Sequence, residues 1–332
     1  MTLNIIDIAK LAGVSKSTVS RYLNNGYVGA ESREKIKKVI DETGFMPQSY
    51  AKSLRTGKTN LIGVIVPKIS TETAPRVVQG ITEVLSENNY DVLIANTNLS
   101  VEKEFEYLNI FKNNQVDGVI FMGTKITPKH KKIMDKLNVP IVVVAQYMDN
   151  YPCVYHDDFN AAKYMTEYLI GKGHKNIGFI GVYEEDRSVG LERENGYIAA
   201  LKENNIEMDI ENLKVGDFSY ESGYKLANEL INKKNTPTAI FAVTDNLAIA
   251  TIDCLKDKGL NIPKDVAVVS IGDTRISEVV SPKLTTIHYH YKTSGRKSAE
   301  IILELLKSSI KTSKTIKKNI KLSYILIERN SA

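Results

Sequence analysis

The sequence predicts a small all-α head followed by a larger α/β core of two lobes with parallel sheets. Three observations carry that expectation. Residues 1–58 repeat their apolar positions at helical spacing and hold ten Lys or Arg against five Asp or Glu, whereas the other 274 residues balance at 34 against 34. From Leu61 onward, apolar runs alternate with amphipathic stretches, the pattern of parallel sheets covered on both faces. About 270 residues also exceed one comfortable core, so this part reads as two lobes.

The head is helical in order. Asn4 and Asp7 have the spacing of a capping box, with Asp in place of the usual Glu or Gln. Ile5, Ile8, Ala9 and Ala12 then form an apolar stripe. Gly13 breaks it, and Ser15 is a natural N-cap for a second helix. Val14, Val19 and Leu23 face inward there, leaving Lys16, Ser17, Ser20 and Arg21 outward. A third helix is expected over Glu31 to Thr43, stopped by Gly44. A short amphipathic piece, Gln48 to Leu54, leads into a polar linker at 55–60.

In the core, buried strands are expected at 61–66, 91–95, 118–122, 140–145, 176–181, 238–243 and 265–271. Amphipathic helices are expected near 75–88, 101–113, 128–137, 159–171, 190–204, 219–233 and 245–258. The Lys-rich stretch 307–321 reads as a solvated helix face and adjoining loop.

Composition excludes several classes. Hydrophobic residues at 42% and charged residues at 25% are ordinary for a globular chain. No apolar run approaches the roughly 18 residues that span a bilayer, and no charged segment followed by an apolar stretch opens the chain as a secretory signal would. Cys153 and Cys254 are too few for a disulfide framework and suit a reducing compartment, so a cytoplasmic location is expected. A basic head on a neutral body points to a polyanion as the partner of the head alone.

Enzyme motifs fail on inspection. Gly171-Lys-Gly173 has its third glycine, Gly178, two positions late for a dinucleotide fingerprint and follows a helix instead of a strand. Gly57-Lys-Thr59 mimics the end of a phosphate loop, but Lys52 stands where a glycine is required. His288 and His290 can point to one side of an extended segment, yet no Cys/His or His/carboxylate spacing supports zinc. Asp157-Asp158 reads as a turn or lobe junction, not a catalytic pair. No Gly-x-Ser-x-Gly elbow is present. No catalytic constellation, metal site or cofactor is expected, and the chain does not read as an enzyme.

The segment Ile5-Ile-Asp-Ile-Ala-Lys-Leu-Ala-Gly-Val-Ser-Lys-Ser-Thr-Val-Ser-Arg-Tyr-Leu-Asn24 resembles the helix-turn-helix of the lactose/galactose repressor family. The resemblance continues through Ser32-Arg-Glu-Lys-Ile36, Gly44-Phe-Met-Pro47, Ala51 to Leu54, Leu61-Ile-Gly-Val64, Gly171-Lys-Gly-His174 and Pro282-Lys-Leu-Thr-Thr-Ile287. The stretch 118–146 is most similar to the sucrose-operon repressors of low-GC Gram-positive bacteria. The resemblance implies a helix-turn-helix head with hinge helix over 1–58 and a two-lobed, periplasmic-binding-protein-like core for effector binding and dimerisation over 59–332. Lobe 1 would hold 60–158 and 291–320, lobe 2 159–290 and 321–332. It implies a homodimeric, ligand-responsive repressor on a pseudo-palindromic operator in double-stranded DNA, controlling carbohydrate use and released by a sugar or sugar phosphate. A purine-type member activated by a corepressor is the close alternative. A stand-alone sugar-binding protein is disfavoured by the basic head.

Base reading by resemblance falls to Lys16, Ser17 and Arg21, with Arg21 able to pair bidentately with guanine. Ser15, Thr18, Ser20 and Asn24 carry short polar groups suited to phosphates. Leu54 takes the place of the leucine that wedges into the minor groove, beside the small Ala51. Gln48 and Tyr50 depart from the family's usual Asn and small aliphatic. For the effector, the resemblance implies Arg193 and Phe218, with Asp245 in an acidic turn after a strand. Thr244 stands where the family has a ligand-binding Asn. Gly272 replaces an aspartate of the family's sugar site, with Asp273 next to it, and Ala145 and Gln146 replace another. Two carboxylates fewer, with Arg187 and Arg275 added near Arg193, favour an anionic or phosphorylated ligand.

Overall fold

The computed structural model describes residues 3–23, 26–45, 58–113, 116–308 and 318–332. The chain divides into two compact units, residues 1–59 and 60–332.

In the first unit, α1 (Ile5–Ala12) begins at the capping box: Asn4 Oδ1 accepts the amides of Ile6 and Asp7 at 2.8 and 3.2 Å, and Asp7 accepts the Asn4 amide at 2.9 Å. Gly13 ends it with a φ of 63°, a left-handed conformation that glycine adopts without steric cost. Ser15 caps α2 (Lys16–Leu23), its Oγ accepting the Thr18 amide at 3.1 Å. The third helix, α3 (Ala30–Thr43), stops at Gly44. Ile8, Val19 and Ile36, one from each helix, are fully buried and hold the unit together. The helix expected over 48–54 lies outside the described residues.

The second unit is two lobes built on one plan. Sheet A comprises β1 (Leu61–Val66), β2 (Asp91–Asn96), β3 (Gly118–Phe121), β4 (Ile141–Val144), β5 (Cys153–His156) and β11 (Asn319–Leu322). Sheet B comprises β6 (Ile177–Val182), β7 (Leu213–Gly216), β8 (Ala239–Ala242), β9 (Ala267–Gly272), β10 (Thr285–Tyr289) and β12 (Tyr324–Ile327). Their orders, β11-β5-β4-β3-β1-β2 and β12-β10-β9-β8-β6-β7, repeat the same doubly wound arrangement, parallel except that β12 runs antiparallel to β10. The helices of lobe 1 are α4 (Thr73–Glu87), α5 (Val101–Asn113), α6 (Pro128–Met134) and α12 (Tyr291–Lys307). Lobe 2 has α7 (Asp158–Gly171), α8 (Arg193–Glu203), α9 (Tyr220–Ile231), α10 (Asp245–Asp257) and α11 (Arg275–Val279). The chain crosses between lobes at 156–158, 289–291 and 322–324.

The central strands are buried on both faces, which is why they read as continuous apolar runs. Five short strands, β5, β7, β10, β11 and β12, go beyond the strands expected from sequence, and β11 occupies part of the Lys-rich stretch read as helix and loop. There Ile320 and Leu322 alternate with exposed Asn319 and Lys321 while pairing with β5. The helix α12 also escaped notice, because Ser294, Gly295 and Ser298 form much of its buried face. Small residues are needed there: a Cβ on Gly295 would lie 2.0 Å from the Val77 carbonyl oxygen, and one on Gly80 2.0 Å from that of Lys292, so α4 and α12 cross backbone to backbone. Among the described residues no helix is long and apolar enough to cross a membrane.

Candidate functional site

Helix α2 presents the predicted DNA-reading side chains on one face. Val19 is buried toward α1 and α3, and that fixes the roll of the helix, leaving Ser15, Lys16, Ser17 and Arg21 exposed. Thr18 and Ser20 are half-buried at its edge. The hydroxyls of Ser15, Ser17 and Thr18 gather at the helix N-terminus, with Ser15 Oγ 2.7 Å from Ser17 Oγ and 2.8 Å from Thr18 Oγ1. Free amides and hydroxyls at a helix start suit a phosphate. Among the described residues no carboxylate lies within ion-pair distance of Lys16 or Arg21. Asn24, Ala51 and Leu54 lie outside the described residues.

The predicted effector residues stand at the C-terminal ends of strands, the edge where open α/β sheets bind ligands. Arg193 opens α8 directly after a π-helical turn, Arg187–Glu192, and is 4% exposed. Its Nε donates to Asp158 Oδ1 at 2.8 Å, Nη2 lies 2.7 Å from the same oxygen, and Nη1 donates to the Val243 carbonyl. Tyr289 donates to that carboxylate at 3.0 Å, with the guanidinium 5.4 Å from its ring centre. Burial is the strongest single influence and opposes the charge on Arg193, but Asp158, Tyr289 and Tyr291 together raise the arginine's pKa above the usual value. The arginine is therefore neutralised from within.

Asp245 opens α10 and is 2% exposed. Its Oδ1 accepts from Ser270 and, at 2.8 Å, from Thr286; Oδ2 accepts the Thr274 amide at 2.6 Å and Thr274 Oγ1 at 2.8 Å. Four donors occupy all the acceptor positions of a carboxylate. A Cβ on Gly272 would lie 3.0 Å from this group. The carboxylate that the family's pattern places at 272 thus has its space filled by the side chain of residue 245. Asp273, with φ at 51°, pairs with Arg329 at 2.6 Å and His288 at 2.8 Å. Burial works against its charge, but these two partners hold its pKa below the ordinary carboxylate value.

The other candidates reach the same edge. Phe218 is half-buried, its carbonyl bonded by Asn246 Nδ2 at 2.8 Å, which ties it to the start of α10. Gln146, buried in lobe 1, donates to the Gly123 and Thr124 carbonyls. Arg275 and Arg187 are exposed, the latter 3.4 Å from Glu192. The lobes meet through the Arg275 amide and Glu72 at 2.8 Å, Arg76 and the Asp273 carbonyl at 2.9 Å, and Ser188 and the Ala145 carbonyl at 2.9 Å.

Asp158 is the site residue that sequence reasoning missed. The Asp157-Asp158 pair does mark a lobe junction, where Asp157 bonds Lys321 at 3.0 Å. What could have singled out Asp158 is Arg193 itself, since a buried guanidinium requires a carboxylate. Next to it His156 is buried and stacks on Tyr289 at 4.3 Å, with no partner for its Nε2 among the described residues. His288 and His290 do approach each other, their rings 5.0 Å apart, but His288 is held by Asp273.

Residues 4–48 match the model of the lacI family of bacterial regulatory proteins, and residues 166–332 match that of a periplasmic binding protein-like domain. The sucrose operon repressor of Staphylococcus xylosus is 34% identical over 307 residues, 92% of this chain and 95% of that repressor. A lac repressor dimer bound to operator and the anti-inducer ONPF superposes with a TM-score of 0.87 at 24% identity, over 100% of this chain and 99% of the other. A complex of the transcriptional regulator CelR with cellobiose does so with a TM-score of 0.76 at 25% identity, over 99% and 100%. These relatives are regulators of transcription, and the head and doubly wound core match them throughout. By its helix-turn-helix, its core and its near-complete alignment with the sucrose operon repressor, this chain belongs to the lacI family of bacterial regulatory proteins.

Proposed function

We propose that this ligand-responsive, DNA-binding repressor acts as a cytoplasmic homodimer on a pseudo-palindromic operator and releases it when a neutral sugar binds between the lobes. The observation that carries the choice of ligand is the Arg193–Asp158 pair. Counted along the chain, Arg193 is a positive charge that favours an anionic ligand; in the fold, Asp158 pairs with it. Asp245 is saturated by four donors and Asp273 is held by Arg329 and His288, so these two act as positioning residues for the strand ends. Guanidinium N–H groups, hydroxyls and the ring of Phe218 remain, which suit a polyhydroxylated ring better than a phosphate. The sugar-regulator names of relatives that align along the whole chain support the same reading. Exposed Arg275 at the same edge favours, as a second reading, a sugar carrying a phosphate.

Homodimerisation is supported by apolar surface left open in both lobes. Leu93 and Ile94 on the edge strand β2 are exposed, and Val279 on α11 is 74% exposed. On DNA, Arg21, Lys16 and Ser17 would read bases, Ser15, Thr18, Ser20 and Asn24 would hold phosphates, and Leu54 beside Ala51 would open a central base step.

The test is thermal unfolding with sucrose, cellobiose, a hexose phosphate and a purine base, paired with operator mobility shifts. A neutral sugar at a hundred times its Kd should add about 2.7 kcal/mol of stability and release operator. Stabilisation by the hexose phosphate alone would favour the Arg275 reading. Stabilisation by the purine with tighter operator binding would replace the inducer reading by a corepressor.

A further inference from the structure

Two ionisable side chains of lobe 1, Glu104 and His130, are both 0% exposed, and neither DNA reading nor the effector contacts described above use them. Glu104 lies in the first turn of α5 and His130 in the first turn of α6. Glu104 Oε2 is 2.8 Å from His130 Nε2, and Oε1 accepts the Thr124 amide at 3.4 Å. On the far side of the ring, Nδ1 accepts the Thr127 amide at 3.0 Å. An amide N–H can only donate, so Nδ1 serves as its acceptor, with Thr127 Oγ1 also 3.0 Å away, while Nε2 faces Glu104. Phe105 and Phe121 enclose the ring at 4.4 and 5.6 Å.

The pair therefore holds amides at both ends of the 124–127 turn that follows β3. Burial alone does not call for it, because apolar residues of equal volume serve stability as well or better than a buried ionic pair. What apolar residues cannot do is accept the Thr124 and Thr127 amides. That turn in turn binds Gln146, whose Nε2 donates to the Gly123 and Thr124 carbonyls. The adjacent Ala145, at φ 71°, offers its carbonyl to Ser188 of lobe 2 at 2.9 Å. Ser188 belongs to the π-helical turn that leads into Arg193, and π turns within helices commonly mark functional sites. Lys125 on the lobe 1 turn also reaches Glu185 across the lobes at 3.4 Å.

We infer that Glu104 and His130 are positioning residues that set the lobe 1 rim of the cleft and, through Gln146, Ala145 and Ser188, hold the turn that carries Arg193. Only the effector arm of the following test rests on the sugar reading above. Hydrogen exchange is measured on the full chain for His130→Asn, Glu104→Gln and Ser188→Ala. Asn can still accept from Thr127 but is too short to reach Glu104, and Gln keeps one acceptor oxygen of two.

His130→Asn should speed exchange about fivefold or more in peptides covering both 122–128 and 185–192, with Glu104→Gln intermediate. Ser188→Ala should speed 185–192 alone. A His130→Asn protein that opens 122–128 yet leaves 185–192 at the native rate would show a local structural pair and overturn the inference. So would uniform acceleration across lobe 1. If His130→Asn does not fold, the two peptides in Glu104→Gln decide in the same way. In the effector arm, sucrose affinity by calorimetry should fall about tenfold in His130→Asn. If neither sucrose nor cellobiose binds the unmodified protein, the sugar reading is overturned, while the exchange arm still decides this one.

Discussion

Arg21 carries its guanidinium on an exposed helix face, where a guanine edge can claim two of its donors. Arg21→Ala should weaken specific operator binding by about 1–3 kcal/mol and relax one base position in each half-site. Competition against a randomised half-site checks it; Asn24→Ala should instead weaken all sequences alike. In the core, Arg193→Ala strands a buried carboxylate. It should cost about 3–5 kcal/mol of stability, and thus confound any reading of effector response. The double variant Arg193→Met, Asp158→Leu should recover most of that stability while sugar binding stays lost, as urea unfolding and calorimetry would show. If Arg193→Ala binds sugar normally, the effector site lies elsewhere. His156 answers to pH: burial first, then the nearby Arg193 charge, push its pKa down to about 3. Below pH 6.5 the unfolded chain takes up a proton that the folded ring refuses, so stability falls by about 1.4 kcal/mol per pH unit until the folded pKa is reached. His156→Phe keeps the stack on Tyr289 and should remove about 2–3 kcal/mol of the stability loss between pH 6.5 and 4.5. Unfolding curves of both proteins at several pH values measure the difference.

At the scale of elements, chain length bears on the hinge proposed over 48–54. Seven residues from Gln48 to Leu54 cannot form a stable helix alone in water, because nucleation costs more than so few hydrogen bonds return. Under the hinge proposal, their amides should exchange freely in the unbound protein and become protected on operator, where two copies would pair over the minor groove. Leu54→Ala should lose most of the operator bend, read by the mobility of circularly permuted DNA, while sugar affinity without DNA stays unchanged. Strong protection without DNA would rule the mechanism out. In the core the governing device is close approach. Gly80 and Gly295 let α4 and α12 cross with no side chain between them, which ties the last long helix of lobe 1 to its first.

At the scale of the molecule, three crossovers join two copies of one doubly wound plan, and the Arg193–Asp158–Tyr289 cluster sits where two of them pass. A ligand bound between the lobes, as proposed, would bias their mutual orientation only by its differential affinity for the two arrangements. Linkage then makes the effect reciprocal: operator DNA should weaken sugar binding by the same factor by which sugar weakens operator binding. Calorimetry with and without operator checks this, and equal sugar affinities in the two titrations would exclude coupling.

The sequence by itself determined the head, the class of the core and the family. These rest on local signals: the Asn4 cap, Gly13, the outward Lys16 and Arg21, and strands such as Leu61–Val66 whose burial on both faces makes every position apolar. It also picked out Arg193, which stands in a recognisable local pattern. Only the tertiary structure decided what Arg193 can do. Asp158 lies thirty-five positions away in the chain and meets it through the packing of α7 on α8. In the same way the carboxylate of Asp245 fills the space beside Gly272, and His130, a histidine without a motif, holds a turn through Glu104. Charge can be counted along a chain, but whether a charge is free depends on which partner folding brings within 3 Å, and no local pattern of residues encodes that.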